Sequence, residues 1–394
     1  MRILFLCNKN PYPERDGGCI AMNVNIKEAI RLGYDVKVVA INSKKNFTEI
    51  DSLPEDYKKK TAYESVMFDL KVRPLQFLST YFTGKSPHIT RFVSKDFEER
   101  LTRILIENEF DIIMLESIFM TPYIKTIRQN SNAKIVLRAH NVEFKIWERL
   151  YDSSKFIKKI LLKHVYRTLR NYELKVINEV DEIFAITSVD ADFFKQHTKV
   201  PVKVLPVGFD IDSIIEPKNI VEEKNTIFHI GAMNWMPNVE GINYFLDKIW
   251  PFIHEKNHNI KLYLAGRNMP DEFLQMKKDN VIVVGEVDDA KIFMKSKEIM
   301  IVPLLSGSGM RVKIIEAMTM GKVIVSTSIG VEGIDCENGK DILIADTPEN
   351  FANAVLRVID DAQLCETISN NARETVRLKY DIRRVFSKTL GLFI

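Results

Sequence analysis

Residues 306–327 combine small residues, cations and a carboxylate in an order that suits a phosphorylated ligand. The segment follows an apolar run of strand length, 299–304, and continues through a small-residue loop into a stretch with helical periodicity. Glycines let such a loop approach a bound group, and unpaired N–H groups at a helix start attract anions. Arg311 and Lys313 add positive charge there, and Glu316 adds a carboxylate. A phosphate-binding loop with a carboxylate nearby to bind hydroxyl groups is what a nucleotide-sugar ligand would require.

A second small-residue loop contains Gly17 and Gly18, between the first apolar run and an amphipathic stretch. A glycine pair there permits close approach of a ligand at the carboxyl end of a sheet, and a tight turn without a ligand is the alternative. The loop lacks the G-x-G-x-x-G spacing of dinucleotide-binding proteins, which argues against a dehydrogenase. His140 follows the apolar run 135–138 and could hydrogen-bond a sugar hydroxyl or a leaving group. A histidine bonded only to its own loop is an equal alternative.

Polar residues also follow two strand-length runs in the second half of the chain. Asn234 and Asn238 offer amide groups after the run 227–231. Arg267 follows the run 261–266 and could reach a phosphate, although a solvated arginine explains it equally well. If both runs belong to one parallel sheet, these side chains follow its carboxyl edge, where α/β proteins bind ligands.

Other chemistries lack a supporting pattern. Asp210 and Asp212 have the spacing of a metal-binding pair, but they lie in a polar linker and such pairs are common by chance. The four cysteines are scattered, and neither a P-loop nor a nucleophile elbow is present. The positive charge is diffuse and lacks interleaved aromatic residues, which argues against nucleic acid as a partner. We expect no metal and no other cofactor.

Thirteen strand-length apolar runs alternate with amphipathic stretches, a pattern typical of βα units around parallel sheets. A chain of 394 residues is longer than one core usually supports, so two domains are expected. A charged run near residues 207–225 separates them, which predicts domains of 1–207 and 208–375 and a late helix, 376–394. The runs are 3–7, 36–41, 65–72, 112–116, 135–138, 183–187, 202–206, 227–231, 261–266, 281–285, 299–304, 323–327 and 342–345.

Residues 155–175 form a basic amphipathic stretch, with lysines and arginines on one face and apolar residues on the other. Such a helix can lie on anionic lipid, and more often it packs its apolar face on the core. No uninterrupted apolar run approaches the roughly 20 residues that a membrane span needs, and Met1 and Arg2 leave no room for a signal peptide. We expect a cytoplasmic protein, either free or in peripheral contact with the inner face of the cytoplasmic membrane.

These segments together resemble the retaining, two-domain nucleotide-sugar glycosyltransferases of the family 4 type, within the group 1 glycosyl transferases. The resemblance covers nearly the whole chain and is most specific in 307–321 and 326–334. It implies the GT-B fold, an α/β architecture in which two Rossmann-like, doubly wound parallel-sheet domains face a central cleft. It also implies that helix 376–394 crosses back to the first domain, and that transfer retains the anomeric configuration without a metal.

The resemblance implies roles for the residues that match the family's motifs. Glu316 corresponds to the glutamate that binds the nucleotide ribose, and Arg311 and Lys313 lie where diphosphate contacts are expected. His140 corresponds to a histidine beside the donor sugar, which makes His140, Arg311 and Lys313 the candidate catalytic residues. The other candidates for donor binding are Gly17, Gly18, Asn234, Asn238, Arg267, Ser308, Gly309 and Met310.

Two positions depart from the family's pattern. Many members carry another glutamate near the donor sugar, before the ribose-binding glutamate, and here that position is Ser308. Many also clamp the diphosphate with an arginine and a lysine at the start of the C-terminal domain, where this chain offers Asn234, Trp235 and Asn238 instead. We therefore hypothesise that Arg311 and Lys313 meet the phosphate charge.

The predicted reaction is transfer of a hexose-type sugar from a UDP- or GDP-sugar to an acceptor hydroxyl. The resemblance implies a glycan or lipid-linked acceptor, in bacterial polysaccharide or lipid-linked glycan synthesis. An isomerase similar to UDP-sugar 2-epimerases is one alternative, although the segments expected at the ligand edge offer few acid–base carboxylates. A nucleotide-sugar-binding protein without turnover is the other, because Ser308 replaces the usual glutamate.

Overall fold

The structure is a computed structural model, and it describes residues 1–71, 74–154, 156–211, 220–307 and 310–389. The chain forms two compact units. The first comprises Met1–Gly208 and the chain from Val385 onward, and the second comprises Phe209–Arg384. Each unit contains one parallel sheet and its own apolar core.

Seven strands form the sheet of the first unit, and all of their pairings are parallel. They are β1 Arg2–Cys7, β2 Asp35–Asn42, β3 Glu64–Met67, β4 Ile112–Glu116, β5 Lys134–Ala139, β6 Glu182–Ala185 and β7 Val202–Val204. Their order across the sheet is β3-β2-β1-β4-β5-β6-β7. The central strands are continuous apolar runs because helices cover both faces of a parallel sheet. The expected third strand, 65–72, is shorter than predicted and ends at Met67.

Helices of the first unit connect these strands, and several begin at a side chain that satisfies their free N–H groups. Asp16 accepts a hydrogen bond from the backbone N–H of Cys19, and Thr187 accepts one from that of Asp190. The α-helices are α1 Gly17–Arg31, α2 Glu55–Lys60, α3 Pro74–Thr83, α4 Pro87–Thr90, α5 Lys95–Glu107, α6 Ile124–Asn130, α7 Glu143–Ser153, α8 Phe156–Val176 and α9 Ser188–His197. Short 3-10 helices span Lys44–Asn46, Ile50–Ser52 and Ile118–Tyr123.

Six parallel strands form the sheet of the second unit. They are β8 Glu223–Ile230, β9 Lys261–Ala265, β10 Val281–Gly285, β11 Lys297–Val302, β12 Val323–Ser326 and β13 Leu343–Ile344. Their order is β10-β9-β8-β11-β12-β13, with β8 and β11 at the centre. Chain order reverses direction between these two strands, which places the carboxyl ends of β8 and β11 at the switch point where such sheets bind ligands.

The helices of the second unit include the expected helix after the small-residue loop, which is α14 Val312–Thr319. The others are α10 Met236–Tyr244, a π-helix at Phe245–Ile249, α11 Trp250–Lys256, α12 Asp271–Leu274, α13 Ala290–Lys295, α15 Pro348–Asp360 and α16 Ala362–Lys379. A last helix, α17, spans Ile382–Thr389. Among the residues with described structure, no helix has the length and apolarity needed to cross a membrane.

The single late helix predicted over 376–394 is wrong in its extent. Residues up to Lys379 belong to α16, and the backbone of Tyr380 leaves the helical conformation before α17 begins. Asp381 pairs instead with Phe209 in an isolated bridge, whose backbone bonds interrupt the helical pattern. The predicted residues 390–394 lie outside the described chain.

Candidate functional site

Lys313, on the first turn of α14, joins the end of β8 to helix α10. Its Nζ donates to the carbonyl oxygen of Ile230 at 3.1 Å and to Oδ1 of Asn238 at 3.3 Å. Nε2 of His229, near the end of β8, lies 3.5 Å from the same nitrogen. The structure thus brings together Lys313 and Asn238, two candidates that lie 75 residues apart in sequence.

His229 is the acceptor in its contact with Lys313. Its Nδ1 donates to the carbonyl oxygen of Ile301 at 3.1 Å, so Nε2 carries the lone pair that faces Lys313. Burial lowers the pKa of His229 well below its ordinary value, and the positive charge of Lys313 acts in the same direction. A neutral histidine can hold a lysine ammonium group at this point without adding positive charge.

The ammonium group of Lys313 is unusually easy to deprotonate. Burial, followed by the positive charge of Arg311, lowers the pKa of Lys313 to about 7. The ammonium form is therefore short of compensating negative charge, and an anion bound beside it would stabilise that form. These features suit a phosphate-binding lysine.

Arg311 precedes α14 and is almost fully buried, with 6% of its surface exposed. Its guanidinium carbon lies 5.5 Å from the ring centre of Trp235, and Nη2 is 3.4 Å from the carbonyl oxygen of Ile329. Gly307 makes room for this arrangement, because a Cβ there would lie 2.7 Å from Nη2 of Arg311 and 3.1 Å from Cη2 of Trp235. The contact between Arg311 and Trp235 was not predicted from sequence. An exposed aromatic residue near a predicted arginine site could have suggested a cation–π contact.

The other described candidates of the second unit lie in α14 (Glu316) and in the loops after β8, β9 and β11. Glu316 and Met310 are half-buried, whereas Asn234 and Arg267 are exposed. The loops after β8 and β9 approach closely, since the backbone N–H of Met233 donates to the carbonyl oxygen of Arg267 at 2.9 Å. Two further candidates, Ser308 and Gly309, lie outside the described residues.

In the first unit, Gly17 and Gly18 begin helix α1. Asp16, the capping residue, pairs with Nζ of Lys9 at 2.6 Å. A Cβ on Gly18 would lie 2.9 Å from that nitrogen, so the missing side chain leaves room for the lysine. Lys9 therefore places a cation beside the glycine loop, a feature that sequence reasoning missed.

His140 follows β5 and contacts a carboxylate that sequence reasoning also missed. Its Nε2 lies 2.7 Å from Oε2 of Glu116, the last residue of β4. Glu116 and Arg138 are both fully buried, and Nη1 of Arg138 lies 3.5 Å from the same carboxylate oxygen. Nη1 also donates to the carbonyl oxygen of Ala21 in α1 at 2.7 Å. The signal for Glu116 was a carboxylate that ends an otherwise apolar run.

The described residues contain no group of three or more His, Cys, Asp or Glu side chains that could hold a metal ion. Asp210, one member of the weak metal-binding pattern, is exposed, and its partner Asp212 lies outside the described chain. The charged residues among the described candidates of the second unit are the cations Arg267, Arg311 and Lys313 and the carboxylate of Glu316. This set suits binding of an anion that also presents hydroxyl groups.

The two parallel-sheet α/β units define the class of fold, and the predicted GT-B fold is confirmed. Residues 224–361, within the second unit, match the family model described as glycosyl transferases group 1. The crystal structure of Anabaena HepE in complex with UDP superposes with a TM-score of 0.69 at 15% identity, over 100% of this chain and 99% of that chain.

Two curated relatives align with nearly the whole chain. An uncharacterized 44.6 kDa protein in the cps region of Klebsiella pneumoniae is 24% identical over 98% of both chains. An uncharacterized glycosyltransferase of Methanocaldococcus jannaschii is also 24% identical, over 97% of this chain and 95% of that protein. Residues 224–361 are thus similar to the group 1 glycosyl transferases, and the whole chain shares the fold of the solved structure.

Proposed function

We propose that the protein transfers a hexose-type sugar from a UDP- or GDP-sugar to an acceptor hydroxyl, with retention of configuration. The observation that carries this proposal is that Lys313 donates hydrogen bonds both to the end of β8 and to Asn238. Arg311 lies two residues before Lys313 in the same segment. A nucleotide-sugar donor is further supported by HepE, whose crystal structures include complexes with UDP and with UDP-glucose.

The donor diphosphate would lie against Arg311, Lys313 and the start of α14. As the glycosidic bond loosens, the leaving diphosphate gains negative charge, which these cations and the positive end of the helix would stabilise. The residue before this helix, Arg311, has no side-chain acceptor, so it caps none of the helix N–H groups, in contrast to Asp16 at α1. Glu316, one turn along α14, would accept hydrogen bonds from the ribose hydroxyls.

The remaining candidates would serve the phosphates and the sugar. Asn234, Asn238, Arg267 and Met310 would complete the donor subsite, together with the candidates Ser308 and Gly309. In the first unit, the loop of Gly17 and Gly18 would pass below the donor, and Lys9 would add a cation. His140 would hydrogen-bond the donor sugar in an orientation set by Glu116.

The acceptor and the cellular setting follow from the resemblance. We propose a glycan or lipid-linked acceptor in bacterial polysaccharide or lipid-linked glycan synthesis, on the cytoplasmic side of the membrane. Residues 155–175 would provide peripheral membrane contact. Transfer would need no metal, because Arg311 and Lys313 supply positive charge at the proposed diphosphate position.

Donor binding can be tested by thermal shift with UDP-, GDP- and ADP-sugars. A ligand that binds only the folded state raises its stability by about 3 kcal/mol at a concentration 100-fold above Kd. We expect a shift with a UDP- or GDP-sugar that is lost in Arg311→Ala and Lys313→Ala. Lys277→Ala, an exposed lysine of the second unit, is the matched control and should keep the shift. An unchanged shift in both site variants would overturn the proposed diphosphate position.

Turnover separates the proposed reaction from its alternatives. Incubation of the donor alone should leave the sugar's stereochemistry unchanged, whereas an isomerase would produce the epimer without an acceptor. With a panel of glycan and lipid-linked acceptors, release of nucleoside diphosphate should depend on the acceptor. Donor binding without release across the panel would favour a binding protein without turnover.

A further inference from the structure

Among the described residues, the two sheets end in four edge strands, and three of them are short or carry charge. β3 and β7 each contain a charged residue, Glu64 and Lys203, and β13 has only two residues. An edge strand offers unpaired backbone groups to another strand, and charge or shortness discourages such pairing. The fourth edge strand, β10, lacks both forms of protection, because its five residues include no charged residue and no proline.

The backbone of β10 directs hydrogen-bonding groups away from its own sheet. The N–H of Leu262 in β9 donates to the carbonyl oxygen of Asn280 at 2.8 Å. Because successive residues of a strand direct their backbone groups to opposite sides, Asn280 and then Ile282 face β9. Val283 therefore directs its N–H and C=O outward, before the register shift that follows it. This residue can exchange two hydrogen bonds with a strand that lies alongside.

The outer face of β10 carries exposed apolar side chains. Val281 and Val283 pack on the core of the second unit, whereas Ile282 is 37% exposed and Val284 is 42% exposed. The solvated face of a sheet usually carries polar residues, and branched apolar side chains at an edge instead suit cross-strand pairs. We call residues 281–285, with these two exposed side chains, the β10 edge.

The charges at the two ends of the β10 edge have opposite sign. Segment 277–280 contains two lysines and one aspartate, a net charge of +1, and segment 286–289 contains one glutamate and two aspartates, a net charge of −3. Lys278 and Asp288 are exposed, and Nζ of Lys278 donates to the carbonyl oxygen of Leu246 at 2.7 Å, a bond that does not neutralise its charge. A second copy in antiparallel orientation brings each end beside the opposite end, whereas a parallel copy brings like charges together.

We propose that the protein forms a two-fold dimer in which the β10 edges of two copies pair antiparallel, centred on Val283. In this register Val283 exchanges two backbone hydrogen bonds with the partner's Val283, and Ile282 lies opposite the partner's Val284. Lys278 lies opposite the partner's Asp288. The two-fold axis repeats each contact, and the two six-stranded sheets join into one continuous sheet. Strands β8 and β9 lie between β10 and β11, so the pairing does not use the loop of the proposed diphosphate position.

Analytical ultracentrifugation of the full chain from about 1 to about 200 μM tests this dimer. We expect a reversible monomer–dimer equilibrium, because a contact between two short strands belongs to the weak class of interfaces. Ile282→Lys with Val284→Lys should raise the dissociation constant of the dimer by at least about tenfold, since lysines would then face each other across the pair. The control, Val221→Lys with Phe252→Lys, adds the same charge at two exposed apolar residues of the second unit and should dimerise as the wild type does.

Charge reversal tests the antiparallel register. Lys278→Glu and Asp288→Lys should each raise the dissociation constant by about threefold or more, because each change places like charges opposite each other twice. An equimolar mixture of the two variants should recover nearly the wild-type affinity, since both pairs in the mixed dimer regain opposite charges. At about 1 μM, where the monomer predominates, every variant should keep the wild-type Tm and the thermal shift given by the nucleotide sugar.

Hydrogen exchange locates the contact on the chain. The N–H of Val283 is directed to solvent in the monomer and is hydrogen-bonded in the proposed dimer. We expect its exchange to slow at about 200 μM relative to about 1 μM in the wild type, and to remain fast at both concentrations in Ile282→Lys with Val284→Lys.

Three results would each overturn the proposal. The first is a wild-type monomer at every concentration. The second is a dimer that Ile282→Lys with Val284→Lys does not weaken, or in which exchange of the Val283 N–H is unchanged, because the contact would then lie elsewhere on the chain. The third is a pair of charge variants that dimerise as the wild type does, or whose mixture fails to recover the affinity, which would contradict the antiparallel register.

Discussion

Nε2 of His140 lies 2.7 Å from Oε2 of Glu116, a carboxylate with no exposed surface. Burial lowers the pKa of His140, an effect that Glu116 offsets only in part, so the ring is neutral near pH 7. A neutral ring beside a carboxylate donates its Nε2–H and keeps a lone pair on Nδ1. The pair therefore leaves Nδ1 of His140 as a hydrogen-bond acceptor, which under the proposed function would face a hydroxyl of the donor sugar.

Glu116→Gln should reverse this hydrogen bond, because the amide can donate to Nε2 and move the ring proton to Nδ1. We expect turnover to fall by about 10- to 100-fold, while KM for the nucleotide sugar changes by less than about twofold. The ¹⁵N shifts of the ring nitrogens report the tautomer. Glu28→Gln, a buried glutamate paired with Arg31, is the control. An unchanged tautomer in Glu116→Gln would contradict the positioning role.

Donor affinity should depend on pH through Lys313. Its pKa of about 7 means that the free protein loses the ammonium charge above neutrality. A bound diphosphate favours the ammonium form, so binding above that pH takes up a proton. We expect the affinity to be constant below about pH 6 and to fall by up to about tenfold per pH unit above about pH 7.

Calorimetry at pH 8 in two buffers of different ionisation enthalpy measures the proton uptake that this prediction requires. Lys313→Arg keeps its charge at every pH tested, because a guanidinium does not lose its proton in this range. Its donor affinity should therefore be nearly independent of pH. An equally steep pH dependence in Lys313→Arg would assign the effect to another group.

Lys313 should also destabilise the fold near neutral pH. Its pKa in the folded protein, about 7, lies below the ordinary value of 10.5. Between these values the unfolded chain binds more protons, so the penalty grows as pH falls from about 10.5 to about 7 and is then complete. Lys313→Met should raise Tm at pH 7 by on the order of a few degrees, and by less at pH 10. Lys277→Met should leave Tm unchanged at both.

Gly307→Ala should weaken donor binding by displacing Arg311. The residue has φ +133°, and its added methyl group would lie 2.7 Å from Nη2 of Arg311. We expect a loss of about 1–3 kcal/mol in stability from the backbone and about tenfold in donor affinity. Gly339→Ala shares the positive φ, at +79°, but its methyl group would meet nothing within 4 Å. Equal donor affinity in the two variants would show that Gly307 does not act through Arg311.

Much of the fold followed from local patterns. Each of the thirteen predicted apolar runs overlaps a strand, because a parallel strand buried on both faces needs a continuous apolar sequence. The late helix was the main error in the described chain. No helix-breaking residue in the sequence marks the end of α16 at Lys379. The helix ends because Phe209 and Asp381 pair in an isolated bridge, which gives the backbone other hydrogen-bond partners. Such competition between distant segments leaves no periodic signal in the sequence.

The candidate site was only partly accessible from sequence. Arg311 and Lys313 are recognisable as candidates in the sequence because they follow a glycine-containing loop between a strand and a helix. Their roles remain a prediction. Nothing local pairs His140 with Glu116, since these residues end two different strands. Lys9 likewise gains its position from Asp16 and from the missing side chain of Gly18.

The sequence by itself determined which residues form the sheets and which loops carry glycines and cations, because periodicity and residue type act over a few positions. Tertiary structure alone decided the state of those residues. Burial and neighbours from other elements decide three such properties. They set the pKa of Lys313, the tautomer of His229 and the cation–π contact between Arg311 and Trp235. Electrostatic energies depend on distance and on exclusion of water, and only the folded chain sets both.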